Sequence, residues 1–169
     1  MNTLRAVNSM IEQVFMLIAG SLFAVFIATI FYQVLARNWL VISVGWTDEI
    51  ALMCFVWSVF LGAAVALRRR VHYVVEILPD TWVNSTNALR LFGALACIPV
   101  IYVLVFNGYI LTGMGWRRAS VALRLPLAWI FMSIPVAGVA MALFSVEVIL
   151  DDIRRFRSGQ PAEHPPEDL

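Results

Sequence analysis

The sequence predicts an all-α membrane protein of four transmembrane helices, N-in/C-in, with a short amphipathic cytoplasmic interfacial helix between spans 2 and 3. Three observations carry this prediction. Hydrophobic residues make up 62% of the 169-residue chain and charged residues 14%, against roughly 45–50% and about 25% in soluble domains. Four long stretches contain no charge. The arginines between those stretches fall mainly on one side.

The charge-free stretches are Gln13 to Ala36, Ile50 to Leu67, Leu91 to Trp116 and Leu125 to Val146, of 24, 18, 26 and 22 residues. Each is close to the ~20 residues that cross a hydrocarbon core of about 30 Å. Backbone groups in lipid must pair internally, which apolar segments of this length achieve as helices. The expected spans are about 14–36, 48–67, 90–114 and 126–149, within one membrane domain of residues 1–157. The first stretch is too long for the roughly 7–15-residue core of a signal peptide, so an uncleaved helix is expected.

With the N-terminus inside, Arg5, Arg68, Arg69, Arg70, Arg90, Arg154, Arg155 and Arg157 face the cytoplasm, and Arg37, Arg117, Arg118 and Arg124 face outward. Eight against four satisfies the positive-inside rule. From Val71 to Trp82 the apolar Val71, Val74, Val75, Leu78 and Trp82 recur at helical spacing, with His72, Glu76 and Asp80 between them. After three arginines this pattern predicts a helix lying in the cytoplasmic interface. Residues 158–169 are polar and proline-rich, the composition of a disordered cytoplasmic tail.

Chemistry within the spans is sparse. An ionisable residue in a span is a functional candidate by default, and the four central runs contain none. Their polar residues include Gln33, Thr29, Ser58, Asn107, Thr112 and Ser133. Asn107, next to Gly108, is the most notable; its bland role is an interhelical hydrogen bond worth about 1 kcal/mol or less. Cys54 and Cys97 lie in apolar runs, where cysteine acts as a small hydrophobe. Neither a disulfide framework nor a metal-ligand spacing arises from them. His72 and His164 lie outside the spans, so no span supplies a haem ligand. A net charge of +1 gives no general affinity for nucleic acid. No enzymatic site and no cofactor are expected.

Packing signals are plentiful. Gly20-Ala24-Ala28 and Ser58-Gly62-Ala66 have the small-xxx-small spacing that lets helices approach closely, within this chain or against another. Pro99 and Pro135 are expected to kink spans 3 and 4. Before span 2 stands Gly45-Trp46-Thr47-Asp48-Glu49. Thr47 suits an N-cap and the two acids complement the helix dipole. Trp46 joins Trp39, Trp116 and Trp129 in an aromatic belt. Asp48 and Glu49 are also placed to pair with Arg117, Arg118 or Arg124 of the other outer loop, or with an arginine of a partner.

The order of these residues resembles the small membrane subunit (DctQ type) of tripartite ATP-independent periplasmic (TRAP) transporters. The matching pattern starts at Arg37 and passes through Trp46-Thr47-Asp48-Glu49, Trp57 and Phe60-Leu61-Gly62-Ala63-Ala64. It ends with Arg68-Arg69-Arg70-Val71-His72, then Val75 and Glu76. The resemblance covers about residues 10–150 and is specific over 37–80. It implies a bacterial inner-membrane subunit that joins a large multi-span subunit holding the substrate and sodium sites. A periplasmic substrate-binding protein would deliver the cargo transiently. The small subunit would be a fixed scaffold, surrounded by membrane lipids, beside an elevator-like mover. The cargo would be an organic-acid anion, C4-dicarboxylates being the first guess by frequency. Arg37, Trp46, Asp48, Glu49, Gly62, Arg68, Arg69, Arg70, His72 and Glu76 would be partner-contacting or structural positions. Two rivals are weighed against this. A respiratory membrane anchor requires histidines within spans. A small homodimeric exporter requires a carboxylate there, for which Glu12 is the nearest.

Overall fold

The computed structural model describes residues 2–40, 42, 44–69 and 83–158. The expected interfacial helix, with Arg70, His72 and Glu76, lies outside the described residues, as do the last eleven positions, 159–169. Five helices are present: α1 Asn2–Asn38, α2 Gly45–Arg68, α3 Val83–Gly115, the short α4 Ala128–Phe131, and α5 Ser133–Ser158. Four segments are long and apolar enough to cross a membrane: Ala6–Asn38, Gly45–Arg68, Phe92–Gly115 and Ala128–Arg154. No strand occurs among the described residues, only one isolated bridge between Ala119 and Pro126.

At 1.5 Å per residue, the 37 residues of α1 extend about 55 Å, well beyond a bilayer core. Its inward stripe follows a 3–4 spacing, Phe15, Ala19, Leu22, Phe26, Thr29, Gln33 and Ala36, each less exposed than its neighbours. This stripe meets α2 in antiparallel register, with Glu12 beside Arg69, Phe26 beside Phe55, and Gln33 beside Asp48. The Gly20-Ala24-Ala28 row is exposed, and a Cβ built on Gly20 meets nothing within 4 Å. That face packs on no other part of the described chain.

Helices α3 and α5 form a second antiparallel hairpin, and glycine sets its spacing. A Cβ on Gly108 would lie 2.9 Å from Ile134 and 3.0 Å from Pro135; one on Gly138 would lie 3.0 Å from Val105. Such contacts require the bare backbone. Pro99 lies inside α3. The fourth span is interrupted at Met132, which keeps helical angles between α4 and α5. Pro135 follows in the first turn of α5, where its missing N–H leaves one carbonyl of the preceding turn without its usual donor.

The two hairpins join through α2 and α5, which run parallel. Among the described residues α1 touches α2 and, sparsely, α5, whereas α3 touches neither α1 nor α2. The order across the protein is therefore α1, α2, α5, α3, an open row instead of a closed bundle. Burial follows: the inner spans α2 and α4–α5 are far more buried than α1 and α3. The core lies in the inner seam, where Ala64 and Leu67 meet Ala140, Met141 and Phe144, with Ile101 reaching in from α3.

Candidate functional site

Charge gathers at the two ends of the row. At one end the chain leaves α2 through Arg68 and Arg69, beside the start of α1 and the middle of α5. The Arg68 guanidinium bridges Glu12 of α1 and Glu147 of α5, with its Nε 3.4 Å from Glu147 Oε2. Arg69 donates to Glu12 Oε1 at 2.6 Å and contacts Met16 Sδ at 3.3 Å. The Asn8 amide donates to Glu147 Oε2 at 2.6 Å. Arg68 also sits over the Phe144 ring, 5.7 Å from its centroid, a cation–π contact. The side chains of Arg68, Glu12 and Glu147 are only 14%, 15% and 13% exposed. Beside them opens a polar recess of about 260 Å³ lined by Glu12, Arg68, Glu147, Val148 and Asp151.

Opposite charges at this burial neutralise one another and fix geometry. Glu12 and Glu147 accept from guanidinium and amide groups, and no nucleophile stands among these groups. The cluster ties three helices together. Among the described residues no group of three or more His, Cys, Asp or Glu is arranged to hold a metal ion.

The other end is built around the loop between α3 and α4. Gly115 packs so closely that a Cβ would lie 2.6 Å from the Ala128 nitrogen. The loop then folds back as a tight hairpin. Ser120 N–H donates to the Leu125 carbonyl at 2.8 Å, and Leu127 N–H to the Arg118 carbonyl at 2.9 Å. Arg124 adopts the left-handed region, φ 54°, a conformation that costs a non-glycine residue energy. Glu49 holds the hairpin tip from below. Its two carboxylate oxygens accept from the backbone N–H of Ala122 at 2.7 Å and of Leu123 at 2.8 Å. Trp57 Nε1–H donates to the Trp129 carbonyl at 2.9 Å, a second tie from α2.

These contacts correct two expectations. The outer acids make no ion pair with Arg117, Arg118 or Arg124 among the described residues; Glu49 takes backbone amides, and Asp48 accepts from Gln33 Nε2 at 2.7 Å. The two loops are joined, but carboxylate to amide, because the left-handed turn presents two adjacent N–H groups to one carboxylate. Thr47 is not the N-cap. The cap is Val44, without a side-chain bond, and the buried Thr47 hydroxyl donates to the Val44 carbonyl at 2.7 Å.

The structure brings Arg68 and Arg69 together in one cluster, and places Asp48 and Glu49 at the opposite end. Trp46 lies 6.1 Å from the Tyr32 ring. Arg37 is exposed in the last turn of α1. Gly62 has nothing within 4 Å of a built Cβ. Sequence reasoning missed Asn8, Glu147 and Phe144, and weighed Glu12 only as the carboxylate of a homodimeric exporter. A usable signal existed: Glu12 directly precedes the first charge-free run and Glu147 directly follows the fourth, so both must emerge on the side of Arg68.

The chain matches the family model described as tripartite ATP-independent periplasmic transporters, DctQ component, over residues 26–155. It is 26% identical over 156 residues to the sialic acid TRAP transporter small permease protein SiaQ of Vibrio cholerae, covering 88% of this chain and 86% of that one. It is 22% identical over 154 residues to the sialic acid TRAP transporter permease protein SiaT of Haemophilus influenzae, covering 86% of this chain and 24% of that much longer one. Four apolar helices and this match make the chain a multi-pass protein of the bacterial inner membrane. With the match spanning most of its length, the chain belongs to the DctQ component family, the small permease subunits of tripartite ATP-independent periplasmic transporters.

Proposed function

We propose that this chain is the accessory scaffold of a sodium-driven, binding-protein-dependent importer of an organic-acid anion. It would pair with a large multi-span subunit that holds the substrate and sodium sites, and a periplasmic binding protein would dock on the assembly transiently. The observation that carries this reading is the placement of charge. The central runs of all four spans lack Asp, Glu, Arg and His. The acids that border them are held, Glu12 by Arg68 and Arg69, Glu147 by Arg68 and Asn8, and Glu49 by two backbone amides. A chain so arranged has no group inside the membrane to couple an ion gradient to a solute.

The open row supports the same reading. It leaves broad apolar faces on α1 and α3, the shape of a part that widens a larger assembly. Orientation follows the arginine balance, eight inside against four outside, with Arg68 at the cytoplasmic end and the Glu49 hairpin at the periplasmic end. The cargo is an organic-acid anion. Both relatives are named for sialic acid, which favours a sugar acid over the C4-dicarboxylate expected on frequency alone.

Reconstitution tests the proposal. Proteoliposomes containing this chain alone under a sodium gradient should take up no organic acid. Those containing it with the large subunit, supplied with the binding protein, should. Uptake by the chain alone would refute the accessory role.

A further inference from the structure

Of the polar residues in the charge-free runs, Thr29, Gln33, Ser58, Thr112 and Ser133 have a hydrogen-bond partner within the chain. Thr29 donates to the Val25 carbonyl, Ser58 to Phe55, Thr112 to Gly108 and Ser133 to Ile130, each within its own segment. Gln33 donates to Asp48. Gln13, at the edge of its run, and the hydroxyls of Ser21 and Ser145 have no such partner among the described residues. Asn107, the one carboxamide deep within a run, likewise makes no hydrogen bond among the described residues, and it is exposed on α3.

Depth and rotation make that exposure consequential. Within the span Phe92–Gly115, Asn107 lies about 5 Å from the midpoint and about 12 Å from the nearer end at 1.5 Å per residue. An asparagine side chain is far too short to reach the headgroups from there. It cannot turn inward either. The tight approach of Gly108 to Ile134 and Pro135, and of Gly138 to Val105, fixes the rotation of α3 against α5. A bare carboxamide facing acyl chains is unfavourable, so the site requires a hydrogen-bonding neighbour.

The surrounding surface fits a helix. Ala96, Val100, Val103, Asn107, Ile110 and Met114 recur at alternating four- and three-residue intervals, and all six are exposed. This is the seam of left-handed helix packing, in which one polar side chain fixes register. Among the described residues nothing covers it, because α3 ends the row and packs only on α4 and α5.

We infer that this stripe is the docking seam for a transmembrane helix of the large permease subunit, which places a hydrogen-bonding side chain opposite Asn107. The inference rests on the accessory-subunit reading. The longer relative supports the choice of occupant: its matching segment is 24% of one permease chain, so further permease polypeptide is joined to that segment.

The test is Asn107→Leu in the full chain co-expressed with the large subunit. The small chain alone should be as thermally stable as wild type or more so, since an unpaired amide has left the lipid face. The co-purified complex should weaken roughly threefold to fifteenfold, the range for interhelical polar contacts in membranes. Asn107→Gln should recover part of the loss. A photo-crosslinking residue at Val103 should capture the large subunit. An undiminished Asn107→Leu complex with no protein captured would mean that the stripe faces lipid, and would overturn the inference. So would capture of a second copy of this chain. Wild-type chain that binds no large subunit at all would instead refute the functional reading on which the inference stands.

Discussion

Replacing Arg68 with Met is the most informative perturbation of the fold. The substitution keeps an apolar stem against Phe144 but removes the guanidinium that joins α1, α2 and α5. Glu12 retains Arg69, whereas Glu147 keeps the Asn8 amide. Breaking a buried pair from one side costs about 3–5 kcal/mol because a charge is left uncompensated. Here Glu12 is still paired and the groups retain some exposure, so the expected loss is about 3 kcal/mol, near the lower end of that range. That is roughly a hundredfold change in the folding equilibrium. Reversible unfolding of the chain in mixed micelles, followed by tryptophan fluorescence, measures it. A double-mutant cycle with Glu147→Leu isolates the pair: the double variant should be less destabilised than the sum of the singles by about 1–2 kcal/mol. Additivity within about 0.3 kcal/mol would refute the bridge between α2 and α5.

Four further outcomes follow from the hairpin and glycine contacts. Glu49→Gln should speed amide hydrogen exchange at Ala122 and Leu123 while leaving the helices protected. Glu49→Arg should impair uptake by the assembled transporter, and neither Arg117→Glu nor Arg118→Glu should rescue it, because the carboxylate acts on backbone N–H groups; rescue by either would restore the ion-pair explanation. Gly115→Ala and Gly108→Val should destabilise the isolated chain, since each places a side chain within 3 Å of a neighbour. Gly20→Ala and Gly62→Ala should leave it unchanged or add up to about 1 kcal/mol in thermal unfolding, because helical glycine is entropically costly and both sites are open.

The four spans were legible because lipid imposes one rule on every position: a run without charge must be long and helical. The core order was not legible. Nothing in the periodicity of α2 says that its second neighbour is α5; that follows from Ala64 and Leu67 meeting Ala140 and Phe144, a contact between segments more than seventy residues apart. The arginine cluster was half legible. Arg68 and Arg69 stood out within the triplet Arg68-Arg69-Arg70, but Glu12 was weighed only as an exporter's carboxylate and Glu147 was not singled out. Glu49 was selected correctly as a residue that joins the outer loops, yet its partner was misassigned. Charge counting favours arginine, whereas the left-handed φ at Arg124 creates a pair of donors that no composition argument reveals.

The two ends of the row solve the same mechanical problem with different chemistry. At the Arg68 end, side-chain charges cancel across three helices, so the cluster attracts little from outside. At the hairpin end, both acids are consumed by an amide pair and a glutamine, and Arg117, Arg118 and Arg124 remain exposed without an ion pair among the described residues. Between them, glycine contacts lock α3 to α5 and the inner seam locks α5 to α2. Each helix is thus fixed at its end or along its length, and the charged groups stand outside the charge-free run of each span. A part held this way resists bending, as the proposed scaffold role requires.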